Sequence, residues 1–258
     1  MRVSTDGAVR LLTLNRPNKL NALNTAAWSD LLRELRAAEA DGAIRVILLR
    51  AEGRVFCAGN DITETSRFAG PSEARAYFLD LMVPTLAALA SSRLPVIAEA
   101  HGMALGAGLE LLQFCDIVLA AESCRFQLPE TRIGLWATVF LGSASYTSNR
   151  RMTQYLALTG EAISAQQAVD AHLVTRVVPD DEIEDAGLHT ARIIAGRAPR
   201  ATAVSKRFAN HTMLTESLPV VREALTQLIA DTLFSNEGRE GVASFIEKRS
   251  PSFPVNPS

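Results

Sequence analysis

An α/β core followed by an all-helical last third is the fold that the sequence predicts. Two observations carry that expectation. Short, nearly continuous apolar runs at 44–50 (IRVILLR), 95–100 (PVIAEA) and 116–122 (DIVLAAE) alternate with segments of three- and four-residue apolar spacing. That is the pattern of buried strands exchanging with amphipathic helices. After Asp180 the strand-like runs stop and only helical spacing remains.

The elements follow in order. Residues 9–14 (VRLLTL) read as a strand closed by the turn-forming NRPNKLN. A helix begins at Thr25, with Trp28, Leu31, Leu32, Leu35 and Ala38 on one face, and Asp41-Gly42 ends it. The strand at 44–50 leads to a long helical stretch from Ser72 to Ser92, which Pro84 is expected to kink or divide. The strand at 95–100 runs into HGMALGAG, an apolar helix over about 107–115, the strand at 116–122 and a short strand at 124–127 (CRFQ). Ser164-Ala-Gln-Gln167 is a capping-box start to a short helix, and 173–178 (LVTRVV) is one more strand. Breaks in the helical last third are expected near Ala198-Pro199, Leu218-Pro219 and Gly238. The division is placed after residue 195. Residues 1–195 form the core, and 196–258 form a helical region too short to bury both its faces alone, which points to subunit contact.

Composition narrows the function classes. The chain has 258 residues, 48% hydrophobic and 21% charged, with a net charge of −2. That is ordinary for a globular protein and offers no basic footprint for nucleic acid. No apolar stretch approaches the roughly 18 residues of a membrane span; His101, Glu110, Gln113 and Asp116 interrupt the longest apolar regions. The start of the chain lacks a signal-peptide pattern. Cys57, Cys115 and Cys124 are an odd count without CxxC spacing, which argues against a disulfide framework or zinc cage and for free thiols in a reducing cytoplasm. The final SPSFPVNPS offers little to bury.

Three segments could carry chemistry. In VFCAGNDI (55–62) a strand runs into a glycine-containing turn whose backbone N–H groups can approach a ligand and form part of an oxyanion hole; an ordinary strand-to-loop turn is the other reading. In HGMALGAGLELLQFCD (101–116), Gly102, Gly106 and Gly108 cluster at a helix start, where free N–H groups suit a developing anion. A dinucleotide fingerprint fits less well, because Leu111 stands at its third glycine position. Glu110 interrupts this apolar helix. Burial would raise its pKa into the range of proton transfer, whereas a solvated face or a pairing with an arginine such as Arg132 reads equally well. In FQLPETRIGL (126–135), Glu130 follows Pro129 at a strand end, where loops display functional side chains; an exposed loop glutamate is the alternative. Two carboxyls beside two convergent N–H groups would suffice for chemistry at the α-carbon of a thioester. No GxSxG occurs, and His101, His172, His189 and His211 have no evident nucleophile partner, which sets a serine hydrolase aside.

Taken together, NRPNKLNALN (15–24), FCAGNDI (56–62), HGMALGAGLELLQFCDI (101–117) and LPETRIGL (128–135) closely resemble the crotonase superfamily of enoyl-CoA hydratases and isomerases. LTGEAISAQQAVDAHLVTRVVP (158–179) and EGVASFIEKRSPSF (240–253) extend the resemblance over almost the whole chain. It implies a spiral of ββα units with a C-terminal helical trimerisation region, assembled as a homotrimer or as a hexamer of two trimers. The oxyanion-hole donors would be the backbone N–H groups of Asn60 and Ala107. The two glutamates that hydratases use to activate water and handle the α-proton match Glu110 and Glu130. The implied activity is hydration of a 2-enoyl-CoA, with no metal or redox cofactor and with coenzyme A as part of the substrate. An isomerase, a dehydratase or hydrolase of a specialised acyl-CoA, and a non-catalytic acyl-CoA-binding oligomer are the alternatives. Coenzyme A would lie along Lys19, Ala22, Ala58, Asp61 and Ile62, with Phe245 and Lys248 closing the nucleotide end. The chain departs from the family pattern at 133–151 (IGLWATVFLGSASYTSNRR), where Trp136, Phe140 and Tyr146 are bulkier than the usual residues. They are either core aromatics or walls of the acyl pocket, and the second reading places Trp136 and Phe140 in that pocket.

Overall fold

The computed structural model describes residues 1–253, the side chains of 145–147 excepted. Tyr146 therefore lies outside the described side chains. Among the described residues nine strands run in chain order: β1 (Arg2–Asp6), β2 (Val9–Leu14), β3 (Val46–Ala51), β4 (Val96–Ala100), β5 (Met103–Leu105), β6 (Ile117–Ala121), β7 (Arg125–Gln127), β8 (Ile163–Ser164) and β9 (Arg176–Val178). The α-helices are α1 (Thr25–Ala40), α2 (Ile62–Thr65), α3 (Pro71–Tyr77), α4 (Val83–Ser91), α5 (Ala107–Leu112), α6 (Thr138–Thr147), α7 (Arg150–Thr159), α8 (Ala165–Asp170), α9 (Ile183–Ala195), α10 (Pro199–Ala209), α11 (Leu218–Gln227) and α12 (Asn236–Glu247).

The strands sort into a six-stranded sheet, β1-β2-β3-β4-β6-β9, and a three-stranded sheet, β5-β7-β8. Within the large sheet only β1 runs antiparallel to its neighbour. Two successive turns of chain each give one strand to the large sheet and the next to the small one: β4 then β5, β6 then β7. The turn before them follows suit, because after β3 Cys57 bridges to Ala104 of β5. This alternation is the ββα spiral. It delivers the chain after β3 and the chain after β4 side by side, and those two segments build the site.

Local chemistry explains the elements. The α1 helix starts with the Asn24 side chain accepting from Ala27 N–H at 2.9 Å and buries Trp28, Leu31, Leu35 and Ala38, one stripe of a 3.6-residue period. The Ser164 capping box forms as read. Pro84 and Pro219 each stand at the first turn of a helix, and each follows a π turn, Phe78–Met82 and Met213–Ser217. Proline offers no N–H and its ring crowds the carbonyl four residues back, so widening by one residue relieves the clash without ending the helical run.

Some boundaries differ from the sequence reading. β1 is an additional strand, exposed and paired on one side only, so no apolar alternation marks it. β9 begins at Arg176, not Leu173, because Leu173 and Val174 donate to Ala168 O and wrap the end of α8. Gly238 lies inside α12, whose N-cap is Ser235; the chain breaks just before that serine. Val221, Leu225, Leu228 and Ile229 join the same buried cluster as the sheet residues Leu48 and Ile97.

Candidate active site

The turn after β3 is held by a clamp on both sides of Asn60. Leu23 N–H donates to Gly59 O at 2.8 Å, and Asp61 N–H donates to Leu23 O at 2.9 Å. A trans peptide sets the N–H opposite the preceding C=O, so the Asn60 N–H points away from Leu23. Ala107, the first residue of α5, is close by: a Cβ on Gly59 would stand 3.4 Å from Ala107 N and 3.0 Å from Leu105 O. Gly59 also has φ +91°, which only glycine adopts without strain. Among the described residues neither the Asn60 nor the Ala107 N–H has an acceptor. Two unclaimed donors thus edge one cavity, one of them at a helix N-terminus.

That cavity measures about 490 Å³. Asn60, Ala107, Glu110 and Glu130 all line it. Glu110 projects from the first turn of α5 and is 5% exposed. Its Oε1 accepts from Val139 N–H at 3.1 Å and Phe140 N–H at 3.0 Å. These are second- and third-position amides of α6, whose own N-cap residue is Ala137 and supplies no side-chain acceptor. The glutamate therefore caps a neighbouring helix. Burial pushes its carboxyl above the ordinary range, and the two amides, which favour the charged form, pull against it.

Glu130 opens the 3-10 turn Glu130–Ile133. Its Oε2 is buried without a partner among the described residues. Its carboxyl is also raised, by burial first and by the negative charge of Glu110 second. The pair is thus differentiated. Glu110 has donors that favour ionisation, and Glu130 has a like charge that opposes it. Arg132 does not neutralise Glu110; it pairs with Glu161 at 2.6 Å.

The enoyl-CoA hydratase/isomerase family profile matches residues 4–256. The chain belongs to that family. Curated relatives include the 2,3-dehydroadipyl-CoA hydratase of Escherichia coli (strain K12), 35% identical over 97% of this chain and 97% of that protein. A probable enoyl-CoA hydratase of Rhizobium meliloti (strain 1021) is 34% identical over 97% and 96%. Among solved structures, an enoyl-CoA hydratase/isomerase from Pseudoalteromonas atlantica T6c superposes with a TM-score of 0.85 at 32% identity, covering 98% of this chain and 99% of that one.

The other residues implied by the family resemblance divide. Ala58 and Ile62 line the cavity beside Asn60, and so does Trp136, whose Nε1 donates to Thr232 Oγ1 at 3.3 Å. Lys19 and Asp61 line an adjoining depression that shares Phe68 with the cavity. Ala22 lines a third, smaller one. Arg16, which the sequence reading passed over, ties these together: it donates to Ala22 O and, at 3.0 Å, to Asp61 Oδ2. One expectation needs correction. Phe140 is fully buried and does not line the cavity; it contributes its amide, not its ring. Phe245 is 56% exposed, and neither it nor Lys248 lines the cavity of its own chain. An α-helix presents only part of its circumference to one neighbour, and α12 turns Val242, Ala243 and Ile246 to the cavity instead.

The largest omission from the sequence reading is the apolar wall. Phe78 and Met82 of one π turn, Leu228 of another (Leu228–Thr232), and Leu225, Leu233 and Phe234 complete the cavity. The C-terminal helices are therefore part of the site as well as of any assembly surface.

Proposed function

We propose that this protein is an enoyl-CoA hydratase, adding water across the 2,3 double bond of a 2-enoyl-CoA thioester. One observation carries the reading: two carboxyls, both raised by burial but one held by two amides and the other facing that like charge, share a cavity with two unclaimed backbone N–H groups. In the proposed cycle the thioester oxygen sits between the Asn60 and Ala107 amides. Glu110, held by Val139 and Phe140, is the ionised member and takes a proton from water as its oxygen bonds to C3. The π electrons move to the thioester oxygen, where the two amides stabilise the enolate. Glu130, the protonated member, gives its proton to C2 as the carbonyl re-forms. The pair again holds one proton, and the product has gained one water. The cycle closes with carboxyls and amides alone; coenzyme A enters as part of the substrate, and no metal or redox group is required. The pantetheine would run along Ala58, Ile62 and Asp61 towards Lys19 and Ala22.

Phe245 and Lys248 fit this scheme if they serve the nucleotide end of a neighbouring copy, in a homotrimer or a hexamer of two trimers. Exposed apolar side chains on the C-terminal helices support assembly through residues 196–258: Phe208 is 68% exposed and Phe245 is 56% exposed. No described helix is long and apolar enough to cross a membrane, and the three free cysteines suit a reducing cytoplasm.

The deciding experiment supplies crotonyl-CoA and longer 2-enoyl-CoAs to the wild type, Glu110→Gln and Glu130→Gln. Hydration should fall about 10²–10⁴-fold in each variant, with saturated acyl-CoA binding retained. Double-bond migration without hydration would favour an isomerase, and tight binding without turnover of any thioester would favour a non-catalytic binder.

A further inference from the structure

The Asn60 side chain is tied to buried groups beside the cavity. Its Oδ1 accepts from Tyr77 Oη at 2.9 Å and from Trp28 Nε1 at 3.1 Å, and its Nδ2 faces Met82 Sδ at 3.9 Å. Trp28 Nε1 also lies 3.1 Å from Tyr77 Oη, and Tyr77 Oη lies 2.6 Å from Leu23 O. Leu23 is the residue that clamps Gly59 O and Asp61 N–H on either side of Asn60. The one hydroxyl proton of Tyr77 is shared between Leu23 O and Asn60 Oδ1, so this phenol reaches residue 60 both through its side chain and through the backbone of its bridge partner. Trp28 is fully buried and Tyr77 is 3% exposed, so the donor side of these bonds is shielded from bulk water.

From this arrangement we propose that Tyr77, seconded by Trp28, is a positioning residue that fixes the direction of the Asn60 N–H in the oxyanion hole. The proposal rests on the assignment of that amide as an oxyanion donor. The reasoning is geometric. A hydrogen bond weakens steeply as its angle closes, and a donor aids the reaction only if it is already aimed at the developing anion. Residue 60 lies in a turn with a left-handed glycine beside it, and its N–H is not held by any ladder bond of its own. Its aim is set by what grips the rest of the residue. Tyr77 also stacks edge-on with Phe78, ring centres 4.9 Å apart, and packs against Phe68 at 5.4 Å; both neighbours line the cavity. Acyl wall and oxyanion donor thus meet at one phenol. Tyr77 touches no substrate atom in this scheme and acts only through Asn60.

The test reads polarisation of the thioester directly. Bound 4-(dimethylamino)cinnamoyl-CoA shifts its absorption to the red in proportion to the pull of the hole on its carbonyl. Tyr77→Phe keeps the ring and removes the hydroxyl; Asn60→Ala keeps the N–H and removes the side-chain anchor. Each should narrow the red shift and lower kcat about tenfold, with KM changed less than about twofold, the split expected for an interaction made mainly in the transition state. The double variant should be no worse than the poorer single one, since both act through the same link. A wild-type red shift in either variant, or fully additive losses in the double, would overturn the proposal. If Tyr77→Phe fails to fold, Asn60→Ala decides alone. The shift needs no turnover, so a wild type that hydrates nothing would defeat the hydratase reading and leave this one standing.

Discussion

A Cβ at position 106 would stand 2.6 Å from Glu130 Oε1. Gly106 has φ +47°, so alanine there meets backbone strain as well as the carboxylate. The glycine is thereby a steric condition for the position of Glu130. Gly106→Ala should lower kcat by about 10²-fold or more, the loss typical of a misplaced acid–base group. Combined with Glu130→Gln it should add little, because the carboxyl it displaces is already gone. Steady-state kinetics of the two single variants and the double decide this; a fully active Gly106→Ala protein would uncouple the two residues.

The two carboxyls predict a bell-shaped pH dependence of kcat/KM. The proposed active form has Glu110 ionised and Glu130 protonated. Both are raised by burial, and Glu130 further by the charge of Glu110. Activity should therefore rise with pH as the pair loses its first proton, above the ordinary carboxylate range, and fall as it loses the second. These are properties of the coupled pair, not of either residue alone. Glu130→Gln should abolish the descending limb together with most of the rate. Val139→Pro removes one donor to Glu110 from the first turn of α6, where an N–H has no intrahelical partner. Losing a bond to the charged form raises the pKa further, so the ascending limb of that variant should move to higher pH. A limb that stays in place would show that the α6 amides do not tune Glu110.

How much of this was legible in the chain depends on the range of each interaction. Glu110 stood out because a charge inside an apolar helix is an anomaly visible in five neighbouring residues. The Ser164 capping box and the apolar face of α1 were equally local. The donors to Glu110 come from Val139 and Phe140, about thirty residues on, and the only hint was the alanine where an N-cap belongs. Phe140 was read for its ring, since composition shows side chains and not amides. The wall made by Leu225, Leu228 and Phe234 was hidden because helical spacing shows that a face is buried but not against what. Tyr77 sits in an unremarkable helix, and nothing in its own segment connects it with Asn60.

Trp136 should govern which acyl chains fit. It lines the cavity and is fixed by its bond to Thr232, so its ring cannot swing away without leaving that hydroxyl. Trp136→Ala should raise kcat/KM for longer or aromatic 2-enoyl-CoAs relative to crotonyl-CoA by about ten- to 200-fold, the range for adding or removing small apolar volume in a pocket. The check is a chain-length series run on both proteins. An unchanged ratio would mean that the acyl chain runs along the Phe78–Met82 side instead.

Glu99 makes a separate prediction about stability, because it takes no part in the proposed chemistry. It lies in β4 at 2% exposure, with Oε1 unpartnered among the described residues. Its carboxyl fills the space that a Cβ on Gly187 of α9 would need. Burial pushes its pKa up to about 8; Arg50 opposes the rise and Glu184 adds to it. Arg50 is itself paired with Glu184 at 3.2 Å, whose charge offsets part of its pull on Glu99. A folded-state pKa above the unfolded value means that the folded protein holds the proton more tightly. The associated stability is full below the unfolded pKa of about 4.5 and is lost as pH rises through the folded value near 8. Wild type should therefore weaken between pH 5 and pH 9 by about 1–3 kcal/mol from this group, on the scale of burying an uncompensated polar atom. For a chain of this size that is roughly 2–10 °C in Tm. Glu99→Gln keeps the shape and cannot ionise, so its thermal unfolding curve should lie close to wild type near pH 5 and above it at pH 9. Glu110 and Glu130 add slopes of the same sign, but they are present in both proteins and cancel in the difference. A difference that does not grow with pH would show that Glu99 ionises freely where it stands.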